Sequence, residues 1–144
     1  MPKPLHERLN SLLNDLRAID DRELRFELLI EYAERFVEVP NTLATRPFLA
    51  KNKVPACESD AYAFATKNND GSLQVFFAVE NPQGISAKAL AVILSDLIDS
   101  STKEELEALN EQIVHDIFGK TISMGKGQGL MGMVRLTKEL CKVT

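Results

Sequence analysis

Ala61-Tyr62-Ala63-Phe64-Ala65-Thr66-Lys67-Asn68-Asn69-Asp70-Gly71-Ser72-Leu73-Gln74-Val75-Phe76-Phe77-Ala78-Val79 decides the fold class. From Glu58 to Thr66 the chain alternates, with Tyr62 and Phe64 on one side and Ala61, Ala63 and Ala65 on the other. Period-two alternation is the mark of a strand whose two faces meet different surroundings. Lys67-Asn68-Asn69-Asp70-Gly71 is a turn cluster that ends in Asp-Gly, and Leu73, Val75, Phe77 and Val79 resume the alternation. The stretch predicts a β-hairpin with one strongly apolar face.

Asn81-Pro82-Gln83-Gly84 ends the second strand, and Ser86–Asp99 follows as a helix that is apolar on most sides, which marks a buried helix. Thr102 and Glu105 form a capping box that opens a more polar segment. A last helix is expected after Gly125-Lys126-Gly127-Gln128-Gly129, carrying Leu130, Val134, Thr137, Leu140 and Cys141. Upstream, Leu5, Leu9, Leu12, Leu13, Leu16 and Ile19 follow helical spacing. Asp20, three residues before Glu23, reads as the cap of a second helix with a core stripe of Leu24, Leu28, Leu29, Tyr32, Ala33 and Phe36. Between these helices and the hairpin, Pro40, Pro47 and Pro55 punctuate Val37–Pro55, which reads as an extended connection wrapping the domain, with room for a short strand at Lys51–Val54. The order helices, strands, helices predicts an α+β fold, with helices packed on a small antiparallel sheet.

Composition bounds the function. The 144 residues suit a single domain spanning 1–144, large enough to need no metal or disulfide staple. A net charge of −4 supplies no basic field for non-specific nucleic-acid binding. Ala89–Leu94 is the longest apolar run, far below the ~20 residues of a membrane helix. The residues after Met1 lack the apolar core of a signal peptide. Two cysteines, Cys57 and Cys141, make neither a disulfide framework nor a C-x-x-C pair, so a reducing, cytoplasmic setting is expected. Charge splits late in the chain: Ser101–Phe118 carries a net −4 and Gly119–Thr144 a net +4. Such a split is either two solvated faces or a docking surface.

Cys57 is the candidate nucleophile. It ends the irregular segment and begins a strand, behind the stiff, small approach Val54-Pro55-Ala56. Lys51 and Lys53 favour a thiolate and Glu58 opposes it. Lys51, Lys53, Glu58 and Lys126 are candidate contacts for a docking partner. Cys141, four residues after Thr137, reads as helix-face filler, and His6 and His115 have no Cys or carboxylate at ligand spacing. Gly125–Gly129 fails the phosphate-loop pattern, because Gly127 and not Ser or Thr follows Lys126. On the residues alone, Cys57 could serve a sulfur carrier, a thiol-based redox protein, or an interaction module in which it is inert.

Several of these stretches together resemble the SufE family of sulfur acceptors. Arg22–Ala33 is similar to that family's second helix, and Val54-Pro55-Ala56-Cys57-Glu58-Ser59 to its V-x-G-C-x-S loop. Ala87-Lys88-Ala89-Leu90 is similar to its K-G-L helix, and Gln128-Gly129-Leu130-Met131-Gly132-Met133 to its G-L-x-x-M ending. Ala56 and Lys126 depart from the usual Gly and Arg. The resemblance implies a fold shared with IscU-type iron–sulfur scaffolds. It also implies that Cys57 carries a persulfide taken from a pyridoxal-phosphate cysteine desulfurase, which it stimulates, and passes the sulfur to an iron–sulfur scaffold complex. One thiolate cannot hold a cluster, which favours carrier over scaffold. No cofactor, nucleic acid or membrane is expected, and a homodimer is left open. A second desulfurase system serving other thio-compounds is the nearest alternative. Tyr62 and Phe77 are the expected apolar cover over the persulfide.

Overall fold

The computed structural model describes residues 3–57, 59–119 and 122–144. Five α-helices and two strands occur among them: α1 (Leu5–Arg17), α2 (Arg22–Glu34), β1 (Ala61–Lys67), β2 (Leu73–Val79), α3 (Ile85–Ile98), α4 (Ile113–Phe118) and α5 (Met124–Lys142). Short 3-10 turns lie at Ala50–Asn52 and Glu104–Ala108. The fold is α+β, as the hairpin and its flanking helices require.

β1 and β2 pair antiparallel in the register Ala61↔Val79 to Lys67↔Leu73. Asp70 fixes the turn: its Oδ1 accepts from the Ser72 N–H at 2.9 Å and from Ser72 Oγ at 2.6 Å. Those bonds hold the Asp70 carboxyl below its ordinary value. Gly71 takes φ +87°, a left-handed conformation that glycine adopts without a Cβ clash.

The two faces of the hairpin enter two cores. Ala61, Ala63, Leu73, Val75, Phe77 and Val79 join the main core with the inner faces of α3 and α5. Full burial of a side chain such as Phe77 contributes about 1.5–3 kcal/mol. Tyr62, Phe64, Phe76 and Ala78 form a smaller core with Val39, Ala44 and Phe48 from the irregular connection. The wrapping segment is thus a second layer over the sheet. It is pinned by the Val39 N–H bond to the Phe77 carbonyl at 2.9 Å and by Arg46, which reaches Glu38 and Glu80 and lies over the Phe48 ring. The bonds from Arg46 lower the Glu38 pKa. At Lys51–Val54 there is a 3-10 turn and a single bridge, Lys53↔Tyr62, in place of a strand.

Three expectations at element ends are corrected. Asp21, not Asp20, caps α2, accepting from the Glu23 N–H at 2.8 Å. Leu24 is 55% exposed and leaves the core stripe of α2. The glycine-rich segment is no lead-in: α5 starts at Met124, capped by Ser123, and Gly125–Gly129 form its first turns. The Thr102–Glu105 capping box is present, with both reciprocal bonds.

The late charge split is neither two solvated faces nor a docking surface in the main. Arg135 pairs with Glu111, Lys138 donates to the Leu109 carbonyl, and Lys103 donates to the Lys142 carbonyl. The two segments pack on each other, so much of the opposite charge meets inside the molecule. Among the described residues, no helix is long and apolar enough to cross a membrane.

Candidate functional site

Cys57 sits at the junction of the irregular connection and β1, half-buried, in the wall of a cavity of about 220 Å³. Phe26 from α2, Ile85 and Ala87 from the start of α3, and Lys126, Gly129 and Leu130 from α5 complete most of that wall. The loop is held at both ends. Val54 donates to the Ala61 carbonyl at 2.8 Å, and Asn81 donates to the Ser59 carbonyl at 3.2 Å. Between these ties the Asp60 N–H closes a turn onto the Cys57 carbonyl at 3.2 Å.

Glycines set how deep the loop lies. A Cβ on Gly129 would stand 3.0 Å from the Ala56 carbonyl oxygen and 3.1 Å from Cys57 Cα. On Gly132 it would stand 3.2 Å from the Pro55 carbonyl oxygen, and on Gly84 it would stand 2.8 Å from Ser59 Oγ. Helix propensity argues against glycine in α5, by about 1 kcal/mol per residue. Backbone contact with the cysteine loop outweighs it, and this explains why a G-K-G-Q-G stretch is helical.

The loop is also strained. Ala56 has φ +57° and Asp60 φ +50°, in the left-handed region that costs an L-residue roughly 1–2 kcal/mol. Glycine at position 56 would remove that cost and add about 0.5–1 kcal/mol of chain entropy to lose on folding. Ala56→Gly is therefore expected to stabilise the protein by up to about 1 kcal/mol in urea unfolding. A loss of stability would show that the left-handed geometry is not what limits this loop.

The other cysteine is chemically different. Cys141 is fully buried on the inner face of α5, and burial pushes its thiol up to about 11, with Lys103 opposing weakly. Cys141→Ser is expected to cost about 1–2 kcal/mol at neutral pH, since the hydroxyl can bond back along the helix as Thr137 does to the Met133 carbonyl at 2.7 Å. Its pH dependence has a definite sign. An unfolded thiol ionises near pH ~8.5 while the folded one stays protonated, so wild-type stability falls between there and about pH 11. Serine does not titrate, so urea unfolding across pH should show the two proteins converging by on the order of 2–3 kcal/mol. A constant gap would mean that Cys141 is solvated in the folded state.

Several expected neighbours of Cys57 lie elsewhere. Tyr62 packs on Phe48, with ring centroids 5.0 Å apart, and Phe77 is in the main core; neither lines the Cys57 cavity. The apolar wall comes instead from Phe26, Ile85 and Leu130. Lys51 lines a separate cavity of about 490 Å³ beside Phe48 and Val143. Lys53 is 3.7 Å from Asp60. Of the candidate lysines only Lys126 reaches the cavity, and no histidine lines it. Glu58 lies outside the described residues. Phe26 escaped the sequence reading because it falls off the apolar stripe of α2.

The family model for the SufE domain, an Fe–S metabolism associated domain, matches residues 10–141. This chain belongs to the SufE family. The match takes in every element described here except the first turn of α1 and the last residue of α5. The SufE-family fold assignment agrees with a solution structure of a hypothetical protein from Thermus thermophilus, at a TM-score of 0.71 and 18% identity, covering 99% of this chain and 97% of that one. That likeness is one of fold. No curated protein matches the sequence. Membership of the SufE family associates the chain with iron–sulfur metabolism.

Proposed function

We propose that this SufE-family protein is a sulfur acceptor that takes sulfur from a cysteine desulfurase onto Cys57 and delivers it to an iron–sulfur scaffold complex. The observation that carries the reading is the contrast between its two thiols. Cys57 lies half-exposed in a cavity wall on a strained loop, while Cys141 is fully buried with its thiol pushed up to about 11.

The step is a thiol exchange on sulfur. The Cys57 thiolate attacks the terminal sulfur of a persulfide on the desulfurase. That sulfur–sulfur bond breaks as a new one forms at Cys57 Sγ, and the desulfurase thiolate leaves and takes up a proton. One sulfur atom moves with no net oxidation. The desulfurase supplies the pyridoxal phosphate. Lys126, in the same cavity as Cys57, offers a cation toward the transferred sulfur's negative charge. Phe26, Ile85 and Leu130 limit the access of reductants. The chain works as a single domain in the cytoplasm, where its two free cysteines stay reduced.

Steady-state alanine release by a cysteine desulfurase tests the reading. Wild-type protein should raise the rate by removing persulfide from the desulfurase after each turnover. No stimulation by protein with a free Cys57 would contradict it.

A further inference from the structure

The cavity at Cys57 continues past it. Phe26 lines that cavity and also a second one of about 350 Å³, whose wall includes Arg22, Arg25 and Phe118. Phe26 is 57% exposed, so its ring is a ridge shared by two hollows on the outside of α2. A single exposed apolar residue is ordinary. This one bridges the thiol's cavity to a second apolar hollow.

Charge marks the same surface. Arg22, Arg25 and Lys126 are the charged residues lining the two cavities, and no carboxylate lines either among the described residues, although the chain carries −4 overall. Arg25 is fixed by donating to the Asp116 and Ile117 carbonyls, each at 3.0 Å. Arg22 and Lys126 make no ion pair among the described residues. The cavity beside β2 differs: Arg35, Glu38, Asp96 and Asp99 line it, and Arg35 pairs with Asp96 at 3.0 Å.

We propose that the two hollows joined at Phe26 are the docking face for the desulfurase, and that the desulfurase presents to them an acidic segment with an apolar side chain that packs on Phe26. The choice of partner rests on the sulfur-acceptor reading; the choice of chemistry rests on the cationic, carboxylate-free lining. An aromatic ring flanked by arginines is the side-chain set that dominates binding energy at interfaces. Free cations at Arg22 and Lys126 steer an acidic partner toward the mouth of the Cys57 cavity.

Binding of the full-length chain to a pyridoxal-phosphate cysteine desulfurase, measured by titration calorimetry at low and high salt, tests this. Phe26→Ala should weaken binding by about tenfold or more. Arg22→Glu should weaken it by about tenfold at low salt and flatten its salt dependence. Lys67→Glu, at the far end of β1, should bind as wild type. Far-UV circular dichroism confirms folding, which exposed sites tolerate. Binding within roughly twofold of wild type for both groove variants would overturn the proposal. So would equal weakening by Lys67→Glu, or self-association of the wild type that Phe26→Ala abolishes, which would give the face to a second copy. Mass spectrometry of Cys57 separates this from the parent reading. Sulfur on Cys57 with groove variants binding normally sinks the docking face alone. Groove-dependent binding with no sulfur on Cys57 sinks the acceptor reading alone.

Discussion

Cys57→Ser is expected to fold as wild type, bind the desulfurase, and accept no sulfur, so that stimulation of alanine release falls to background. The side chain is half-buried in a cavity wall and its oxygen replaces sulfur with little change in volume. The change in chemistry is larger, because a hydroxyl is not ionised at neutral pH and is a poor nucleophile toward sulfur. Cys141 cannot substitute: it is fully buried, and thiolate is the attacking form. Retained stimulation by a folded Cys57→Ser protein would move the chemistry off this residue.

Gly129→Ala carries the second large effect, and it acts on geometry. Alanine normally gains about 1 kcal/mol over glycine inside a helix. Here the added Cβ would meet two backbone atoms, the Ala56 carbonyl oxygen at 3.0 Å and Cys57 Cα at 3.1 Å, which cannot rotate away. Overpacking of this kind costs typically about 1–3 kcal/mol, so the clash outweighs the propensity gain. The cheapest relief is to lift the loop, which is already strained at Ala56 and Asp60. Gly129→Ala should therefore lose stability in urea and label faster at Cys57 with iodoacetamide. Gly127→Ala is the internal comparison. Its Cβ would meet only Ile122 Cγ2 at 3.8 Å, an ordinary contact, so it should gain stability and leave labelling unchanged. Both variants moving together would remove the glycine seat as the determinant of how Cys57 is sheltered.

The hairpin, the buried α3 and the Thr102–Glu105 cap were legible because each rests on local periodicity or on one hydrogen-bond pattern. Cys57 could be singled out for the same reason: Pro55, Ala56 and the strand start are neighbours in sequence. What failed was set by tertiary contact. Glycine's low helix propensity argued for a loop at Gly125–Gly129, but close approach to residues 55–57 requires a helix with no side chain there. Alternation assigned Tyr62 and Phe77 to opposite faces correctly, yet neither face meets Cys57, whose cavity is built by α2, α3 and α5. Lys51 is near Cys57 in sequence and lines another cavity, whereas Lys126, 69 residues away, shares its cavity. Net charge by segment could not show that Glu111 and Arg135 neutralise each other. Phe26 carried no sequence signal beyond being an aromatic off the stripe, and only its place between two cavities gives it a role.

The central claim is that one sulfur of the two receives the transferred atom. Incubation of wild-type protein with cysteine and a catalytic amount of cysteine desulfurase, followed by alkylation and peptide-resolved mass spectrometry, measures this directly. The account predicts a gain of one sulfur atom on the peptide containing Cys57, removed by a thiol reductant, with the Cys141 peptide unmodified. Sulfur on the Cys141 peptide, or none on Cys57 while the desulfurase itself is persulfidated, would contradict it.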